Sequence, residues 1–199
     1  MKTYFYTSIV KRFKGYALAV VTASFILTPV FASAGPGKPG KNPIAPGGNV
    51  VEVAIAANKL LGVFDTVLAA AQCEYFDGAV VDILTGEEKV TLFAPTDGAF
   101  EKLGLDETNV CSTFEDNPDA LLEILAYHVT DGRRFSNSVF NPRGNEKPVE
   151  MLFGTGYIWT EDGQIFGASN DEPIGIVGEF FDINASNGVI HVIDGVLLP

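Results

Sequence analysis

The apolar periodicity of this chain changes halfway along it, and that change limits the possible folds more than any other feature. Phe64, Val67, Leu68 and Ala71 recur at helical spacing. Asn49 and Glu52 stand as N-cap and N3 of a preceding helix, a capping-box variant. A short helix is expected over 76–84, stopped near Gly86, and another over 98–103. Asn117-Pro118 opens a further one with Pro at its first position, bearing Leu121, Ile124 and Leu125 on one face. After the buried-strand run at 90–94, the second half reads as short β runs at 149–153, 157–160, 164–166, 174–177, 179–183, 189–193 and 196–198. Glu161-Asp162-Gly163 and Asn187-Gly188 are the hairpin signals among them. Helices first and strands later specify an α+β domain, with helices against antiparallel β-sheets.

Charge divides the chain differently. The first acidic residue is Glu52. Ahead of it lie Lys2, Lys11, Arg12 and Lys14, an uncharged apolar stretch over 17–32, and Ala32-Ser33-Ala34. That order predicts a cleaved secretory signal over 1–34. Residues 35–48, GPGKPGKNPIAPGG, predict a solvated linker. The linker formally matches two phosphate-loop patterns, but both need a strand before and a helix after, and prolines stand there instead. The domain expected over 49–199 holds 7 Lys+Arg against 25 Asp+Glu, a net charge of −18, whereas the whole chain is at −12. Such a balance opposes nucleic-acid binding, which relies on Lys and Arg at phosphates. No further segment is expected to cross a membrane.

Three blocks resemble the fasciclin (FAS1) domain family, in the family's order: 91–100, TLFAPTDGAF; 125–129, LAYHV; and 187–199, NGVIHVIDGVLLP. The resemblance covers essentially 49–199. It implies a wedge of β-strands with helices packed on it. It also implies a secreted or cell-surface adhesion or extracellular-matrix module, bound to an extracellular or cell-surface protein or polysaccharide. The alternative is a carrier of an apolar small molecule, a pigment or lipid.

Residue by residue, the bland readings lead. Thr96 and Asp97 sit where strand becomes helix, as caps for orphan N–H groups. His128 falls seven residues after Leu121 on an apolar stripe, and His191 lies between Val189 and Ile193 on a strand, so both are expected buried and hydrogen-bonded. Asn187 is a structural turn residue. Adhesion is attributed to the Tyr-His block in animal family members, which makes Tyr127 and His128 candidates for partner contact. Arg133 and Arg134 follow as candidates with Arg143, the one local basic patch.

No catalytic, cofactor or metal site is expected. The nearest approach to a nucleophile elbow, at 167–171, lacks the final Gly. Two Cys and two His are spaced unlike any compact zinc motif. The carboxylate pairs fall beside turn residues, and no EF-hand order is present. Cys73 and Cys111 suit a disulfide in an exported chain.

Overall fold

In a computed structural model, the structure describes residues 47–140, 148–152 and 156–199. The signal segment, most of the linker, Arg143 and Phe153 lie outside the described residues.

Helix α1, Val50–Leu61, starts where the sequence places it. The Asn49 side chain accepts from the N–H groups of Val51 and Glu52, and the Glu52 carboxylate accepts from Asn49 N–H at 2.9 Å. Gly62, left-handed at φ 61°, ends it. Helix α2 spans Asp65–Ala71. The helix expected over 76–84 divides into a 3₁₀ turn, Glu74–Phe76, and α3, Ala79–Thr85. Asp77 and Gly78, both at positive φ, break the continuity between them. Strand β1, Val90–Pro95, leads into α4, Asp97–Glu101; α5, Val110–Thr113, and α6, Pro118–Ala126, follow. Then come β2, Val129–Asp131; α7, Ser136–Val139; β3, Val149–Glu150; β4, Tyr157–Glu161; β5, Gln164–Phe166; β6, Ile183–Ala185; and β7, Gly188–Ile193.

Two sheets form, in the orders β2-β1-β7-β6 and β3-β4-β5. Antiparallel pairing dominates, but the central pair β1–β7 is parallel, with Val90 beside Gly188 and Pro95 beside Ile193. Every residue of both strands is buried. That explains why neither strand alternates apolar with polar residues, because a strand covered on both faces has no polar side; their polar members, Thr91 and His191, are buried and hydrogen-bonded. Helix α1 packs on β6 and β7. On the opposite face, Phe93 and Ile193 join Tyr127, Met151, Ile158, Ile165 and Leu197 in one core with the three-stranded sheet.

Three local expectations are corrected. Of the runs expected over 174–177 and 179–183, only Ile183 enters a strand, β6; residues 174–182 make only isolated bridges, Ile165 with Ile174 and Ile176 with Ile193. Gly178 and Asp182, at φ 53° and 54°, interrupt any regular ladder there. Residues 196–198 form no strand: Leu197 N–H goes to His128 and Leu198 N–H to the Asn170 side chain. The β6–β7 register pairs Ala185 with Gly188, so the loop is Ser186-Asn187, one residue earlier than the Asn-Gly signal suggested. The β4–β5 turn, by contrast, places Asp162 and Gly163 both at positive φ, as a two-residue hairpin demands.

Candidate functional site

Tyr127 caps the C-terminus of α6 and is completely buried (0% exposed); His128 follows at 2%. The Tyr127 hydroxyl donates to the Tyr157 carbonyl and accepts from Ala168 N–H at 3.0 Å, tying α6 to the second sheet. Burial raises its pKa, opposed by the bond from Ala168. His128 Nδ1–H donates to the Ile124 carbonyl at 2.7 Å, and Nε2 accepts from Leu197 N–H at 2.9 Å. Both ring nitrogens are thus occupied by backbone. Burial pulls the pKa down to about 4, with the Ile124 bond opposing, so the ring is neutral. A partner cannot reach either side chain without opening the core. The expectation of direct contact through Tyr127 and His128 is therefore corrected: the block anchors the interior.

His191 lies at the centre of β7, stacked on Phe93 with centroids 5.5 Å apart and edge-on to Phe140. Its Nε2–H donates to the Arg134 carbonyl at 2.8 Å, and Nδ1 accepts from Asp182 N–H at 3.4 Å. Burial lowers its pKa; the Arg134 bond and the Asp182 carboxylate oppose. That carboxylate is itself engaged by the N–H and hydroxyl of Ser136, each at 2.6 Å, so it caps α7 from across the chain. Sequence spacing gave no signal for this contact.

Asp97 caps a helix, but not the one it begins. Its carboxylate accepts from Thr66 N–H at 2.8 Å and Asp65 N–H at 3.3 Å, the first turn of α2. Its own N–H donates to the Val63 carbonyl at 2.8 Å. Thr96, the N-cap of α4, makes no side-chain cap bond. The expected capping by Thr96 is thus corrected, and that by Asp97 moves to α2. The physical reason is that β1 delivers Asp97 beside the start of α2, where orphan N–H groups already wait.

Asn187 makes three bonds. Its amide NH₂ donates to the carbonyls of Leu84 and Gly86 at 2.8 and 2.9 Å, and its Oδ1 accepts from Val50 N–H at 2.9 Å. One side chain therefore joins the end of α3 to the start of α1. Cys73 and Cys111 form a disulfide, linking the residues after α2 to α5.

Of the described candidates for partner contact, Arg133 and Arg134 are the ones that reach solvent. Arg133 is exposed, and one guanidinium nitrogen donates to the Ala185 and Ser186 carbonyls at 2.8 and 2.6 Å. Lys89 Nζ donates to the same Ser186 carbonyl at 3.2 Å. Half-buried Arg134 donates from Nε to the Asp131 carbonyl. Lys89 and Arg133 thus meet at the β6–β7 turn on backbone oxygens, with Arg134 beside them in sequence held to the backbone of β2. Among the described residues, no group of three or more His, Cys, Asp or Glu stands together as metal ligands, and no helix is long and apolar enough to cross a membrane.

The chain resembles known proteins over the same span. A family model described as a fasciclin domain matches residues 64–199. The Synechocystis protein sll1483 is 34% identical over 151 residues, covering 75% of this chain and 73% of that one. Human periostin is 32% identical over 122 residues, 59% of this chain but only 13% of periostin. Among solved structures, the FAS1 domain pair from the insect cell adhesion molecule fasciclin I aligns with a TM-score of 0.57 at 20% identity, over 77% of this chain and 52% of that one. At that identity the likeness is one of fold. With the three signature blocks in place and the family match running from Phe64 to the last residue, this chain belongs to the fasciclin-domain family.

Proposed function

We propose that this domain is a non-enzymatic adhesion or matrix-interaction module, exported to the cell surface or beyond, and that it engages a protein or polysaccharide through the rim formed by Arg133 and Arg134. The observation that supports this most is the fate of the motif's reactive groups. His128, His191 and Asp97 are each committed to backbone N–H or carbonyl partners, so recognition falls to the surface. In a domain at −18, the cluster of Lys89, Arg133 and Arg134 is the local exception in sign, and it gives an acidic partner a place to dock.

The test is attachment. Cells lacking the gene should attach or form biofilm less well, and the wild-type gene should restore this. A gene encoding R133A/R134A should restore less. Unchanged attachment on deletion counts against the adhesion reading. Full restoration by the double variant leaves adhesion standing and removes the arginine rim from it.

A further inference from the structure

A second surface lies on the outer face of β4. Along this strand Ile158 is fully buried and Thr160 donates to the Val139 carbonyl, so these two point inward. Tyr157, Trp159 and Glu161 therefore share the outer face. Tyr157 is 38% and Trp159 46% exposed. Register places Phe166 opposite Trp159 and Gln164 opposite Glu161 on β5. Directly paired residues share a face, so Phe166 extends the aromatic strip and Gln164 its polar end. Trp159 is the chain's single tryptophan, and the strand spends it on solvent.

Charge identifies the occupant. From Pro148 to Pro199 the chain has eight Asp and Glu and no Lys or Arg. The aromatic strip thus lies in a stretch of wholly negative formal charge, with exposed Glu161 two residues, ~7 Å, beyond Trp159. Aromatic faces attract cations, and a carboxylate next to them holds the cationic end. A second copy of the 49–199 domain would bring another −18 against it.

We infer that Tyr157, Trp159 and Glu161 form a docking strip for a Lys/Arg-rich segment of a partner protein. Cationic side chains lie on the two rings with their heads toward Glu161. This surface is separate from the Arg133–Arg134 rim and calls for the opposite charge in its partner, so it stands whether or not the attachment test succeeds.

The single tryptophan makes the experiment direct. The purified chain is titrated with fluorescein-labelled octa-arginine, with octaglutamate and cellohexaose as comparison ligands. Trp159 emission and peptide anisotropy are read at low and high salt. Octa-arginine should change Trp159 emission and bind more weakly as salt rises. W159A and Y157A should each weaken binding roughly 3- to 30-fold. E161Q should weaken it and flatten its salt dependence. The distant E87Q should change it less than about twofold, as an exposed carboxylate away from the strip. R133A/R134A should not weaken it. Circular dichroism checks that each variant is folded, and the emission change in the unaltered chain needs no variant at all. Octa-arginine binding that leaves Trp159 emission unchanged, or that W159A and E87Q affect alike, overturns the proposal as diffuse charge attraction. Salt-insensitive binding of cellohexaose in preference to octa-arginine overturns it in favour of a sugar-stacking face. Self-association that buries Trp159 overturns it in favour of a second copy.

Discussion

The backbone N–H of Leu197 donates to Nε2 of His128 at 2.9 Å across 69 residues of sequence. The bond requires a bare Nε2, and the Ile124 carbonyl on Nδ1–H fixes the same tautomer. Protonation turns this acceptor into a donor facing a donor. His128 is held down to about 4, whereas an unfolded His stays near 6.5. The unfolded chain therefore binds the proton first. The stabilisation is complete above about pH 6.5, declines as pH falls, and is lost by about pH 4, on the order of 3 kcal/mol in all. His191, also lowered, acts in the same direction. Urea denaturation between pH 7.5 and 4 should show this decline. H128L should flatten most of the slope while losing ~1–3 kcal/mol at pH 7, because Leu197 N–H and the Ile124 carbonyl lose their partner.

The cap on α2 comes from Asp97, and its neighbour Thr96 contributes no side-chain cap bond. D97A should therefore cost ~1–2 kcal/mol and T96A distinctly less. Thermal melts of the two variants give the order, and equal losses would return the capping role to Thr96.

Asn187 and Gly188 are adjacent but required for different reasons. N187A leaves Val50 N–H and the Leu84 and Gly86 carbonyls without their partner and should cost at least ~2 kcal/mol. A Cβ on Gly188 would stand 2.5 Å from the Val90 carbonyl oxygen and 2.6 Å from Val50 Cγ1. The first neighbour is backbone of the central strand and cannot swing aside. G188A should cost ~1–3 kcal/mol or more from overpacking. Denaturant midpoints measure both.

The Cys73–Cys111 disulfide closes a loop with a sequence separation of 38. Reduction should lower unfolding stability by roughly 3–4 kcal/mol in the chain-entropy picture. Denaturation with and without reductant tests this, and C73A/C111A should match the reduced chain. A reduced chain as stable as the oxidised one would mean that helix packing alone holds α2 to α5.

Features governed by neighbours in sequence were legible. The Asn49–Glu52 box, Pro118 at the start of α6, the Asp162-Gly163 turn and the apolar runs of β1 and β7 follow from local geometry. The family blocks added the fold. What sequence did not reveal is where side chains travel. Asp97 sits at the start of one helix and serves another; Asp182 reaches back to Ser136. Nor does a buried strand's sequence say which strand lies beside it, or in which direction, which hid the parallel pairing of β1 with β7. The shared face of Tyr157 and Trp159 follows from the alternation of β4, but alternation alone does not say which of a strand's two faces is covered, and exposure decides it.

Strand β7 has one more consequence. It comes last in the chain yet lies between β1 and β6, and 98 positions separate Val90 from its partner Gly188. A ribosome releases β1 long before the strand that must lie beside it. Closing so long a loop is slow, and no shorter pairing can substitute for it. The four-stranded sheet therefore cannot be completed until β7 has left the ribosome, and β1, buried on both faces in the finished domain, waits until then with one edge unpaired.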